Sequence, residues 1–188
     1  MKLYLTTIGI AMAIISFFNI FFGVAPAHYV IIAVVWCTAF QFAIDGLRAI
    51  AINKMPDGMF AVDNPHFRVT QRERLLYRRL GVRRWKDMIW ELGGLGGFSK
   101  KNLKEPHNPQ YIEKFIIECN KGVVTHRLAY PAGFVVMLTL TAPCSLTIAL
   151  PVAVVNLLLN ILPTVALRYN TPLLHTLLKR LNRGVSEE

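Results

Sequence analysis

His126 and Arg127 stand at the entrance of an apolar stretch running from Leu128 to Leu167, and Arg168, Tyr169 and Asn170 stand at its exit. These residue types can do chemistry at a membrane boundary. A histidine, with an ordinary pKa near 6.5, accepts and returns a proton close to neutral pH. An asparagine amide can donate to a developing negative charge or orient an imidazole. Arginine offers a planar fork of donors suited to phosphate and carboxylate. A second basic group, Arg83-Arg84-Trp85-Lys86, adds an indole on which a flat base can stack. Glu118 lies two helical turns before His126, about 12 Å along the helix axis.

Other motifs carry less. The run Gly93-Gly94-Leu95-Gly96-Gly97 has neither dinucleotide-fingerprint spacing nor a P-loop ending, and reads as a hinge. Cys37, Cys119 and Cys144 have no paired spacing, so no metal site and no disulfide framework is expected; Cys119 beside Glu118 reads as a buried thiol rather than an acyl carrier. No histidine is followed by aspartate at the fourth or fifth position, as the soluble glycerolipid acyltransferase motif requires.

The elements that must position these residues follow from composition. Of 188 residues, 54% are hydrophobic and 17% charged, well below the usual quarter charged. The blocks from Leu3 to Ile52 and from Leu128 to Leu167 are nearly free of basic residues, and each is long enough for two spans of about 20 residues. The expected fold is all-α and integral to a membrane: four transmembrane helices with a central cytosolic amphipathic helical segment. Residues 1–52 form the first hairpin, 53–127 the basic interfacial segment, 128–167 the second hairpin and 168–188 a basic tail. The first span is expected to be retained, because its apolar run is longer than a signal-peptide core.

Within the first hairpin Asp45 is the sole acid, three residues from Arg48, and a local ion pair is expected. The second hairpin is expected to turn near Thr147. That would return residues 126–127 and 168–170 to one membrane face. Pro131 and Pro163 can kink or open its arms and free backbone groups that need new partners. In the central segment, Arg72, Arg74, Arg78 and Arg79 alternate with Leu75, Leu76 and Leu80, which suits an interfacial helix broken at Gly81 and facing anionic lipid headgroups. Asn108-Pro109 reads as the start of a further helix bearing Tyr111, Ile112, Phe115, Ile116 and Cys119. The spans otherwise show little polarity, which speaks against an ion pathway. Nucleic acid is an unlikely partner for charges that flank spans.

The strings Leu80-Gly81-Val82-Arg83-Arg84-Trp85-Lys86-Asp87, Ile116-Ile117-Glu118-Cys119 leading to His126, and Asn160-Ile161-Leu162-Pro163 leading to Arg168-Tyr169-Asn170 resemble the glycosyl-4,4'-diaponeurosporenoate acyltransferases, over roughly Pro65 to Arg180. The resemblance implies transfer of a fatty acyl group to a sugar hydroxyl of a glycosylated carotenoid acid, the closing step of staphyloxanthin assembly, in a bacterial cell membrane. It implies no cofactor. The donor substrate would be acyl-CoA or acyl carrier protein, and the acceptor a lipid-linked sugar. His126 would be the general base, with Asn170 and Glu118 assisting. Arg83, Arg84, Trp85, Lys86, Asn160, Arg168 and Tyr169 would bind substrate. The chain departs from the family pattern at Val123, where an acid is usual, and at Leu167 and Thr171. The rival expectation is a non-catalytic four-helix membrane module that binds lipid or assists a partner enzyme or transporter.

The basic residues also define an orientation: 16 lie between Arg48 and Arg127, 4 from Arg168 onward, and Lys2 completes the 21. Every one of them can face the cytosol, together with both termini. In intact cells of a variant freed of native cysteines, a membrane-impermeant thiol reagent should therefore label Ala27→Cys and spare Lys100→Cys. The opposite pattern would invert this topology.

Overall fold

The computed structural model describes residues 2–89 and 103–186. The Gly93–Gly97 run and Trp90 lie outside the described residues. Six α-helices, linked by short 3-10 turns, account for most of the described chain: α1 (Lys2–Phe21), α2 (Ala27–Asn53), α3 (Gln71–Arg79), α4 (Val82–Trp85), α5 (Pro109–Ala132) and α6 (Leu150–Ser186). No strand occurs among the described residues. Three helical stretches are long and apolar enough to cross a membrane: Tyr4–Phe21, Ala27–Asn53 and Ser145–Arg183. Large side chains are bare to the surroundings, with Leu138 85% and Phe21 71% exposed. A water-soluble monomer rarely shows so much contiguous apolar surface; in a membrane protein, lipid covers it.

The fourth expected span differs from a full-length helix. α5 ends at Ala132, and the chain continues as 3-10 turns over Gly133–Thr139 before turning at residues 140–143. Pro131 explains the change of winding: it lacks the N–H that would bond to the Arg127 carbonyl, and its ring crowds that carbonyl. The turn thus falls earlier than Thr147, and Ser145 Oγ pins it by donating to the Met137 carbonyl at 2.8 Å. A π-helical turn over Ser145–Ala149 leads into α6, which passes Pro163 and Pro172 without ending.

The chain divides into two compact units, Met1–Ala51 with Thr125–Ile161 and Ile52–Val124 with Leu162–Glu188. The first has a core of Val30, Ala33, Val34 and Cys37 from α2 against Val136, Ile148, Ala149 and Ala153. Those α2 positions recur at helical spacing and bury one stripe. Asn19, buried at the end of α1, donates to the carbonyls of Ile15 and Thr147.

The second unit is built on the expected α5 stripe. Ile112, Phe115, Ile116, Cys119 and Val123 pack on Leu167 and Leu174 of α6. Asn108 Oδ1 accepts from Gln110 N at 3.1 Å, so the expected start at Asn108-Pro109 is present. α3 opens with a capping box in which Thr70 and Glu73 satisfy each other's backbone N–H groups. Gly81, at φ +60°, then breaks α3 from α4 where expected, in a conformation that suits glycine.

Glu73 has a further partner. Arg168, buried on α6, donates its Nε to Glu73 Oε1, a terminal nitrogen to Oε2 at 2.7 Å, and the same nitrogen to the Arg68 carbonyl at 3.0 Å. Tyr77 OH donates to Glu73 at 2.6 Å. These donors, Arg168 first, hold the Glu73 carboxyl at about 2, below its ordinary 4.5. Burial, then the Glu73 charge, pushes the Tyr77 phenol up to about 12. Because the folded value of Glu73 is the lower one, its stabilisation is complete above about pH 4.5 and is lost as pH falls toward 2. Thermal unfolding in detergent should show wild-type Tm dropping across that window. Glu73→Gln should be less stable at pH 7, by on the order of 2 kcal/mol, and its Tm should fall less than that of wild type across that window. A variant that keeps the wild-type pH profile would show that Glu73 does not carry this tie.

Candidate functional site

His126 lies in the last turns of α5, partly buried, and its Nδ1 stands 2.8 Å from Asn160 Oδ1 of α6. Asn156 and Asn160 are one helical turn apart and share a face of α6. Asn160 Nδ2 donates back to the Asn156 carbonyl at 2.9 Å and to Asn156 Oδ1 at 3.1 Å. Asn156 Nδ2 donates to Gln41 Oε1 of α2 at 3.1 Å, and Gln41 Nε2 donates to the Gly133 carbonyl. Gln41, Asn156 and Asn160 are all buried.

This relay has one direction. The carbonyls of Gly133 and Asn156 can only accept, so the nitrogens of Gln41 and Asn160 must face them. Asn160 then presents its oxygen to His126. The imidazole nitrogen facing it, Nδ1, must carry the proton, and the lone pair resides on Nε2. The arrangement thus selects the tautomer in which Nε2 is the basic atom, the part that a carboxylate plays in other proton-transfer sites.

The break after α5 makes the relay possible. Where the winding tightens at Gly133, the backbone carbonyl comes within reach of a side chain on α2. A Cβ at Gly133 would lie 3.1 Å from Asn156 Nδ2 and 3.6 Å from Gln41 Oε1, so glycine leaves the room in which the two amides meet. One residue before His126, the Thr125 carbonyl accepts from Arg48 at 3.0 Å. Arg48 also pairs with Asp45, the ion pair expected from their spacing. The guanidinium thereby fastens α2 to the turn that bears the histidine.

The remaining expected site residues belong to the second unit. Glu118 sits beside Lys121, Nζ to Oε1 at 3.5 Å, and Lys121 is also bound to Asp57. The Lys121 ammonium holds the Asp57 carboxyl below the usual range. Arg168 is occupied by Glu73 and the Arg68 carbonyl. Tyr169 and Asn170 are partly buried on α6. Arg83 and Arg84 are exposed on α4, the Trp85 indole donates to the Leu80 carbonyl at 3.0 Å, and Lys86 pairs with Asp87 at 2.9 Å. Val123, where the family pattern has an acid, is a fully buried member of the second core.

Two members of the relay, Gln41 and Asn156, do not figure among the residues singled out from sequence, and Asn160 figures there as a substrate contact. Their signal is available: amides in stretches otherwise apolar, with Asn156 and Asn160 spaced four apart. The buried polar chain also corrects the expectation that these helices contain almost no polarity. Among the described residues no group of His, Cys, Asp and Glu is placed to hold a metal ion.

Residues 56–180 match the family described as glycosyl-4,4'-diaponeurosporenoate acyltransferase. No curated protein and no solved structure gives a match.

Proposed function

The chain belongs to the glycosyl-4,4'-diaponeurosporenoate acyltransferase family, and from that premise we propose that it transfers a fatty acyl group from a thioester to a hydroxyl of a glycosylated, membrane-borne acceptor, with His126 as general base. The observation that carries the proposal is the His126 to Asn160 contact, because it leaves the basic lone pair on Nε2.

A sugar hydroxyl is a poor nucleophile at neutral pH. Nε2 accepts its proton as the oxygen attacks the thioester carbonyl. The new C–O ester bond forms, the C–S bond breaks, and the proton passes from Nε2 to the departing thiolate. General base catalysis of this kind contributes typically 10²- to 10⁴-fold. Asn160 is a positioning residue: it holds the ring and its tautomer, and Asn156 and Gln41 hold Asn160. Arg127, exposed next to the base, supplies a cation for the phosphates of an acyl-CoA or acyl-carrier donor. The exposed Arg72, Arg74, Arg78 and Arg79 of α3 suit anionic headgroups, with Leu75 and Leu76 bare beside them. We infer a multi-pass placement in the bacterial cell membrane with both termini cytosolic, which the distribution of basic residues supports.

With labelled acyl-CoA and a glycolipid acceptor in detergent, His126→Ala should lower kcat on the order of 10²- to 10⁴-fold with little change in yield of folded protein. Asn160→Leu should lower kcat and shift the pH profile, because the tautomer is no longer held, whereas Asn160→Asp keeps an acceptor facing Nδ1 and should recover part of the rate. Near-full turnover by His126→Ala would remove the base assignment, and the lipid-binding membrane module would then be the better reading.

A further inference from the structure

A half-open cleft lies within the first unit between α1, α2 and α6. On α1 it is walled by Ile8, Ala11, Met12 and Ile15, which form one helical face, and the wall extends from Tyr4 to Ile15, about 16 Å at 1.5 Å per residue. Val152 lines one end of it on α6 and Leu159 the other.

Resting on the acyl-transfer reading above, we propose that this cleft holds the acyl chain being transferred, its carbonyl end toward Asn160 and His126 and its methyl end toward Ile15 and Val152. Polarity is the first argument. The amides of Gln41 and Asn156 line the cleft but bond to each other and to the Gly133 carbonyl, and Asp45 at the other end of the α2 wall pairs with Arg48. An occupant therefore meets methyl and methylene groups and polar atoms already engaged with one another. That suits a hydrocarbon chain and disfavours a sugar, whose hydroxyls would lose water without replacement. Continuity is the second argument. Asn156 is both a wall of the cleft and the partner of Asn160, and Leu159 of the wall directly precedes Asn160. A chain lying along α6 past Leu159 brings its first carbon to the level of the residue that holds the base. The third argument separates this cleft from the lipid-facing surface. Ile10, Ile14, Phe17 and Phe21 of α1 are exposed on the outer side, whereas Ile8, Ala11, Met12 and Ile15 turn inward.

The cleft then acts as a ruler, since Ile15 and Val152 stand at the end where a chain must stop. Ala11, halfway along, is the position at which added volume shortens it. The test uses the full-length protein in phosphatidylcholine vesicles with two photoreactive probes, palmitoyl-CoA and phosphatidylcholine, each bearing a diazirine at the acyl terminus. The CoA probe should label the segments around residues 11–15 and 152–155, in competition with unlabelled palmitoyl-CoA. Ala11→Phe should reduce that labelling and shift the ratio of kcat/KM for C16 over C12 donors by on the order of tenfold toward the shorter chain. Val152→Phe makes the same measurement from the opposite wall should Ala11→Phe fold poorly. Equal labelling by the phospholipid probe without competition by palmitoyl-CoA would overturn the proposal in favour of a bilayer lipid. Labelling and chain preference unchanged in both variants would overturn it outright. Because labelling needs no turnover, competed labelling without transfer would sink the catalytic reading while leaving the cleft as an acyl-thioester site, and transfer with labelling elsewhere would sink the cleft alone.

Discussion

An amide buried among membrane helices has no water to turn to, and each unsatisfied donor or acceptor there costs several kcal/mol. For Gln41, Asn156 and Asn160 the first unit answers this constraint with a chain of hydrogen bonds from His126 through these three amides to the Gly133 carbonyl. Each amide passes the direction on by donating with its nitrogen and accepting with its oxygen. Reversing one member would set donor against donor at its neighbour. The imidazole tautomer is thus decided by a backbone carbonyl several residues from the ring, through amides that never titrate.

The same constraint accounts for the irregular backbone. The Gly133 carbonyl opens the 3-10 stretch, and its second lone pair accepts from Gln41. Pro131 ends the α-helical regularity just before this point and Gly133 lets the amides approach, so both residues shape the relay.

Features set by local spacing were legible in the sequence. The Asp45 and Arg48 pair, the α5 start at Asn108-Pro109, the break at Gly81 and the apolar helices all follow from residues within a few positions of one another. Features that depend on long-range meetings were not. Arg168 reads as an anion-binding arginine until Glu73 and Arg68, about 100 residues earlier, are found around it. Gln41 looks isolated in α2 because its partners lie at 133 and 156. The full-length fourth span was expected because hydropathy cannot register that Pro131 and Gly133 change the winding. His126 stood out from sequence, but its orienting partner was sought at Glu118 or Asn170 because an acid is missing at Val123; in the structure Val123 serves packing, and Asn160 faces the ring.

Where the family match begins is itself informative. Residues 56–180 contain His126, Pro131, Gly133, Asn156 and Asn160, so the imidazole, the amide that faces it and the helix break all fall within it. The α1 wall of the cleft and the Gln41 and Asp45 side of α2 fall before it. Taking a proton from a hydroxyl demands a fixed geometry at one nitrogen, and few residue types can provide it. Holding a hydrocarbon demands only apolar surface of suitable length, which many sequences provide equally well. The relay itself crosses that boundary, since Gln41 precedes the match while Asn156, Asn160 and His126 lie inside it.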